Sequence, residues 1–383
     1  MKSIFLFIEI YQNSFQENAE GRAVWDDDTF YLYISIIILI SAFGLFAEKT
    51  RGSIQSLWVV AAATVLSFIL GFRGELVGAD TIGYVESFNR ALETDAWADS
   101  TSEPGYHLLV MLLRAILPNS TAFLTFISTL TVFFVFNTLW KYREHTNLLI
   151  AFSFYVGLYY FQALNLLRIY LAAAFVLWNY HYLIEKKYRK FFLIVVLTSM
   201  LHYSTVVMLL PLAYLWLHQK SPLLALGFIA CLMIVSIPLI SQFANYIAIA
   251  RYAEYGESNE SSGKVGVMLF FEYLPCFFMV WYALRHKIKG QWRDILISLT
   301  VTGFFIRTIA YFITIAGRLG IHFMGLYILI IPYFVNHLKV HHKTAYILLM
   351  PFFVGYLLIR MHFYFIGYLA VDQIMPYAFF WDE

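Results

Sequence analysis

RGELVGADTIGYVESFNRALETDAWADSTSEP (Arg73–Pro104) stands between two strongly apolar regions. It holds seven acids, Glu75, Asp80, Glu86, Glu93, Asp95, Asp99 and Glu103, against two bases, Arg73 and Arg90. In a chain that is 13% charged overall, this concentrates polar chemistry in one loop. The chain's 383 residues are 61% hydrophobic and 19% aromatic, whereas a soluble domain is about 45–50% apolar. Apolar runs long enough to cross a bilayer recur, among them Thr29–Ala47, Ser120–Leu139 and Leu166–Tyr182. The expected fold class is all-α, a single polytopic integral membrane domain over residues 1–383 with about 11–12 transmembrane helices.

Charge sets the topology. Short turns between the apolar runs, EKTRG (Glu48–Gly52), KYREH (Lys141–His145), EKKYRK (Glu185–Lys190), HQK (His218–Lys220), RHKIKGQWRD (Arg285–Asp294) and HLKVHHK (His337–Lys343), carry 15 of the 26 Lys and Arg residues. They carry only four of the 24 acids. The positive-inside rule counts Lys and Arg, so these turns are expected to be cytoplasmic. Residues 72–104 then form a large outward loop, periplasmic or extracellular, and residues 242–264 a second one. Between loop and bundle, residues 105–117 are apolar but too short to cross, which suits a re-entrant or interfacial helix. No leader-peptide cleavage pattern precedes the first run, so the runs are expected to be retained. The aromatic end, Met361–Glu383, receives no placement.

Phe191–Leu217 has basic turns at both ends, so it must enter and leave on one side. Its length exceeds one span and falls short of two. Two half-helices meeting near His202, Tyr203 and Ser204 resolve this. Irregular backbone at membrane depth survives only inside protein or along a cavity, so the break is a candidate site element.

Charges inside apolar runs cost on the order of 3 kcal/mol each, so each needs a reason. Arg168 lies in FQALNLLRIYLAAA, Arg307 in GFFIRTIAYF, Arg318 in AGRLGIHF and Glu272 in LFFEYLP. A single such arginine reads as a snorkelling or carbonyl-bonded side chain. Several on the outer side, beside a loop that opens with Arg73, fit a pyrophosphate-lipid site, because guanidinium binds phosphate in a bidentate fork. The candidate phosphate contacts are Arg73, Arg168 and Arg318, with Arg307 next.

Candidate catalytic residues are Asp80, Glu103 and His202. Asp80 follows Gly78-Ala79 in a polar turn and serves equally as a turn former. Glu103 precedes Pro104-Gly105, where the helix dipole alone would favour a carboxylate. His202 sits at the expected helix break, although a buried histidine is ordinarily structural. His107 and His322 are weaker candidates, and the acids between Glu86 and Asp99 read as a solvated face. Cys231 and Cys276 lie in apolar segments and read as packing residues. No zinc-type spacing, P-loop or dinucleotide fingerprint is present, so neither metal nor cofactor is expected, and nothing points to nucleic acid. Asn259-Glu260-Ser261 matches a glycosylation sequon of the kind common by chance.

Four stretches together resemble the EpsG family of Wzy-type polysaccharide polymerases: FRGELVGADTIGYVESF, SEPGYHLL, NLLRIYLAAAFVLWNYHYL and LHYSTVVMLLP, in the family's order from Arg73 to Pro211. AGRLGIHF resembles a late arginine segment. The sequence departs at Ile169, where the family often has glutamine, and at Glu75-Leu76. The resemblance implies a glycosyltransferase of the bacterial inner membrane that joins undecaprenyl-pyrophosphate-linked oligosaccharide units for O-antigen, capsule or exopolysaccharide. It also implies membrane lipid, a chain-length regulator and a flippase as pathway partners. Two other classes stay open at this point: a transporter or flippase of lipid-linked sugar, and a glycan ligase or O-acyltransferase.

Overall fold

The computed structural model describes residues 26–93, 103–232, 234, 267–310, 314–367, 369 and 372–382. The N-terminal acids Glu9, Glu17 and Glu20, the loop acids Asp95 and Asp99, the expected outward loop at 242–264 and the sequon at Asn259 lie outside them. Among the described residues the chain is helical, with one isolated antiparallel bridge between Arg73 and Phe379.

Helix α1, Asp27–Lys49, starts where its sequence says it should. Asp26 caps it by accepting from the Thr29 amide at 2.9 Å, and Asp27 and Asp28 lie at its positive end. Tyr33, Ile36, Ile37, Ile40, Gly44 and Ala47 form its buried stripe. Helix α2, Gly52–Gly71, leads to the acidic loop, α3 (Thr81–Arg90) and α4 (Pro104–Arg114). Helix α5, Ser120–Lys141, is capped by Asn119, and α6, Leu148–Tyr155, by Asn147. Helix α6 runs on through a π-turn, Val156–Tyr160, and a 3-10 turn, Phe161–Leu164, to Asn165. Helix α7 is Leu167–Trp178 and α8 the single turn His181–Ile184. Beyond them lie α9 (Tyr188–Ser199), α10 (Leu209–Lys220), α11 (Pro222–Leu232), α12 (Val267–Arg285) and α13 (Gln291–Ala310). The chain closes with α14 (Ile331–His341) and α15 (Lys343–Gly367).

Among the described residues five helices are long and apolar enough to span: Asp27–Lys49, Gly52–Gly71, Ser120–Lys141, Gly317–His341 and Lys343–Phe365. The protein is therefore an all-α polytopic membrane protein. Some of the other apolar stretches counted towards the expected spans are built from shorter pieces, whereas α12 and α13 are single helices of 19 and 20 residues. A 12-residue helix such as α7 rises about 18 Å, short of a hydrocarbon core of about 30 Å. Phe191–Leu217 divides as its length requires: α9 and α10 are separated by Met200–His202 and a 3-10 turn, Tyr203–Met208. In the long Gly317–His341 rod Pro332 stands in the first turn of α14, where its missing amide leaves no bond unmade. A π-turn over Leu326–Ile330 precedes it.

The chain forms two compact units. The first comprises the described residues within 1–178, 200–202 and 327–383. In it α1 packs on α6 and α2 on α5, with small residues at the tightest points. A Cβ on Gly44 would lie 2.9 Å from the Phe152 Cβ, and one on Gly71 would lie 3.0 Å from the Thr125 Cα. Glu48, at the end of α1, accepts the Leu148 amide at 2.7 Å and holds Lys339. The segment after α15 is anchored to the start of the acidic loop. The amides of Gly74 and Gly78 donate to the carbonyls of Ala378 and Gln373 at 2.8 Å, and the Ala79 amide donates to Asp372 at 3.0 Å. The unplaced aromatic end thus becomes a floor under the loop.

The second unit comprises the described residues within 179–199 and 203–326. Its α12 and α13 pair closely at Gly303, where a Cβ would meet the Tyr273 hydroxyl at 2.7 Å and Phe323 at 2.9 Å. Ser298 in α13 donates to the Pro211 carbonyl at 2.8 Å.

Gly78 has φ +98°, and a Cβ there would lie 2.4 Å from the Leu164 carbonyl oxygen. Gly78→Ala adds left-handed strain to a backbone clash, and a cost of about 1–3 kcal/mol is expected. It should appear as a lowered unfolding temperature of the detergent-purified protein, whereas Gly83→Ala, which meets open space, should leave that temperature near wild type.

Candidate functional site

The loop after α2 is shaped by its short-range bonds. The Thr81 hydroxyl donates to the Val77 carbonyl at 2.7 Å, and the Thr81 amide donates to Gly78 at 2.9 Å. Helix α3 then lays Thr81, Val85 and Phe88 inwards at helical spacing. At its end Arg90 pairs with Glu93 at 3.0 Å, both side chains exposed, and Glu86 is exposed as well. Asp80 sits at the start of α3, and its amide donates to Asn165 Oδ1 at 2.8 Å. Asn165 Nδ2 in turn donates to Asp372 Oδ1 at 3.0 Å, and the Tyr364 hydroxyl donates to Asp372 Oδ2 at 2.9 Å. The residue at which the α6 rod stops therefore ties the loop to the C-terminal segment.

Three turns of chain converge on Glu103. Pro104 opens α4 with a fixed φ and no amide to satisfy. The next two amides, of Gly105 and Tyr106, both donate to the Met200 carbonyl, at 2.9 and 3.1 Å. Gly105 is required there, since a Cβ would stand 2.7 Å from the Met200 Cβ. This grip holds His202 beside the helix start, its Nδ1 4.0 Å from Glu103 Oε1. From α7, Arg168 Nη1 reaches Glu103 Oε2 at 2.8 Å, and its guanidinium carbon lies 5.1 Å from the centre of the Tyr106 ring. Glu103 is almost enclosed, its side chain 8% exposed, while those of Arg168 and His202 are 26% and 20% exposed. Arg168 Nε and the Tyr106 hydroxyl are buried without a hydrogen-bond partner among the described residues. The result is a buried carboxylate with a guanidinium on one oxygen and an imidazole near the other, and unpaired buried donors beside it.

Arg73 is 1% exposed, and it donates through Nη1 to the Leu70 carbonyl. Its Nε and Nη2 have no acceptor among the described residues. Burial pulls the guanidinium down to about 10, against the opposing influence of Tyr84, Tyr377, Tyr160 and Tyr33, so it keeps its charge at neutral pH. Tyr84 also meets the Tyr106 ring, with centroids 6.5 Å apart, which links Arg73 to the Arg168 group through aromatic rings. The loop arginine thus lies inside the fold rather than on its surface.

The first unit therefore brings Glu103, Arg168 and His202 together, with Asp80 and Arg73 on the neighbouring loop. Arg307 and Arg318 belong to the second unit. There Arg307 Nε donates to Glu272 Oε2 at 2.9 Å, with its Nη1 beside Gly317 and its Cδ beside Gly320. Arg318 lies half-buried in the 3-10 turn Thr314–Phe323. His322, 1% exposed, has its Nε2 2.7 Å from Ser204 Oγ. His107 is buried within α4. Sequence reasoning missed Asn165, Tyr106 and Asp372. Asn165 had a signal, a polar residue one turn before Arg168. So did Asp372, an acid within an aromatic tail. Tyr106 had none beyond its place next to the Pro-Gly helix start.

Arg73 offers a test of its own. A buried charge with unsatisfied donors costs stability, and an apolar residue of similar length removes that cost. Arg73→Met is expected to keep or raise the unfolding temperature. A marked fall, followed by circular dichroism during heating, would show instead that the charge holds the fold.

The EpsG family model matches residues 56–379, from early α2 to the segment that floors the loop, and so covers each site residue above. No curated protein and no solved structure matches the chain significantly. The match spans most of the sequence and contains all four motifs in order, so the chain belongs to the EpsG family, a Wzy-like polysaccharide polymerase family, and its general role is in making polysaccharide.

Proposed function

We propose that this protein is a glycosyltransferase of the bacterial inner membrane that polymerises undecaprenyl-pyrophosphate-linked oligosaccharide units on the outward face. The observation that carries the reading is the Glu103 cluster: a carboxylate bound by Arg168 at 2.8 Å and approached by His202 at 4.0 Å. It stands at the start of an 11-residue helix too short to cross, here assigned as re-entrant or interfacial. The bias of Lys and Arg in the turns supports placing this end of the bundle outside.

In this scheme an acceptor sugar hydroxyl attacks the anomeric carbon that links the growing chain to its lipid pyrophosphate. The new carbon–oxygen bond forms as the bond to pyrophosphate breaks, and the bonding pair leaves with the lipid pyrophosphate. Glu103 orients the imidazole through Nδ1, and His202 Nε2 takes the hydroxyl proton as general base. The 4.0 Å separation closes to a hydrogen bond when substrate packs the site, as catalytic contacts commonly do. Arg168, whose side chain stays 26% exposed, presents its remaining guanidinium donors to the departing pyrophosphate, stabilising charge where it develops. Asp80, held on the Arg168 turn by Asn165, orients the acceptor sugar. Arg73 adds a fixed positive potential from behind the loop. Arg318 and Arg307, in the second unit, remain candidate phosphate contacts. The donor's polymer is O-antigen, capsule or exopolysaccharide, and a flippase and chain-length regulator supply and limit it.

The purified protein should convert its authentic lipid-pyrophosphate-linked repeat unit into a ladder of lengths on a gel. His202→Gln is expected to slow ladder growth by about 10²-fold or more while lipid-substrate binding is retained. Arg168→Lys, which keeps the charge and loses the fork, is expected to weaken both. Wild-type protein that binds the unit yet extends nothing would overturn the reading in favour of transport.

A further inference from the structure

The second unit carries a basic hollow that the sugar chemistry does not use. Helix α8 ends in a 6→1, 5→2 pair of bonds: the Lys187 amide donates to the Tyr182 carbonyl at 2.7 Å and the Lys186 amide to Leu183 at 3.1 Å. Such an ending wants a left-handed residue, usually glycine. Lys186 fills it with φ 58°. A long cation thus occupies a position whose backbone favours no side chain.

The turn opens on a hollow of about 450 Å³ lined by Lys186, Lys187, Tyr188, Arg189, Lys190 and Trp216. The four cations are exposed. Trp216, on α10, is half exposed, and Lys220 Nζ stacks 3.7 Å above its ring. The wall is fixed from behind, because the Tyr188 hydroxyl accepts from Gln219 at 2.9 Å and Gln291 at 3.0 Å. Little negative charge opposes this set among the described residues. Glu185 pairs with Lys187 at 2.5 Å, and Asp294 pairs with Arg293 at 2.6 Å.

We propose that this hollow binds the headgroup of an anionic phospholipid carrying two phosphates, in the leaflet that faces the basic turns. Arg189 offers a bidentate fork to one phosphate, and Lys186 and Lys190 are point charges for the other. Trp216 marks the headgroup level, where amphipathic rings settle at a membrane interface. A cationic pocket among membrane helices on the basic side is the chemistry that selects such headgroups, and a solvated turn lacks its rigid aromatic wall. The site reads on lipid rather than on sugar transfer, so it stands or falls apart from the polymerase scheme.

The test uses the full chain in phosphatidylcholine nanodiscs doped with cardiolipin, or with phosphatidylglycerol at matched total charge, and measures lipid retention by native mass spectrometry. Wild type is expected to retain cardiolipin preferentially. Combined Lys186→Gln, Arg189→Gln and Lys190→Gln should cut that retention by about tenfold, whereas Lys287→Gln with Lys289→Gln should leave it unchanged. Lys186→Gly should raise the lipid-free unfolding temperature and weaken retention, a pairing that loss of folding cannot produce. Equal retention by wild type and the triple variant would overturn the proposal. Equal preference for phosphatidylglycerol would remove its two-phosphate element. Displacement of the lipid by inorganic pyrophosphate at equal concentration would reassign the hollow to a free anion.

Discussion

One backbone carbonyl organises the site. Where α9 stops, the Met200 oxygen takes the amides of Gly105 and Tyr106. In apolar surroundings a broken helix must have its free groups paired by protein, because water is not there to do it. That requirement draws the start of α4 against the break, and the rest follows by geometry. Gly105 has to be glycine, Glu103 is set just ahead of the helix, and His202 lies two residues past the carbonyl. The second break works in the same way. Asn165, where the α6 rod ends, accepts from the Asp80 amide and donates to Asp372. Polar chemistry gathers where helices are interrupted, since those are the places with backbone and side-chain groups in need of partners.

Charge within the first unit is economical. Glu103 is nearly enclosed and has Arg168 on one oxygen. Removing either partner would leave the other buried and uncompensated, a loss larger than the pair contributes net. Arg73 is a different case. It is surrounded by tyrosine rings and a carbonyl, without a carboxylate ion pair among the described residues. An internal cation held this way sustains a positive potential that a salt bridge would cancel, which suits a loop meant to face anionic ligands.

Much of the fold was legible from residue order. Thr29–Ala47 and Ser120–Leu139 became α1 and α5, whose first turns carry the caps that Asp26 and Asn119 advertise. The division of Phe191–Leu217 followed from its length and its two basic flanks. Other runs concealed their breaks. Leu166–Tyr182 reads as one apolar stretch, yet the structure gives α7 and a separate turn, with α7 beginning just beyond the Asn165 tie. Hydropathy counts apolar side chains and is blind to which backbone groups find partners elsewhere.

The sequence by itself determined the helical membrane class, the basic turns, the acidic loop and the residue types Arg168, Glu103 and His202. These are properties of composition, period and local charge, and they need no contact across the chain. The tertiary structure alone decided which of them meet. It set Glu103 between residues 65 and 99 positions further along the chain, buried Arg73 among tyrosines, and divided the candidate arginines between two units. It also drew the aromatic C-terminal segment under the loop. Such pairings depend on where helices stop and on what fills the space beside a glycine. Those are facts of three-dimensional packing that residue order carries only implicitly.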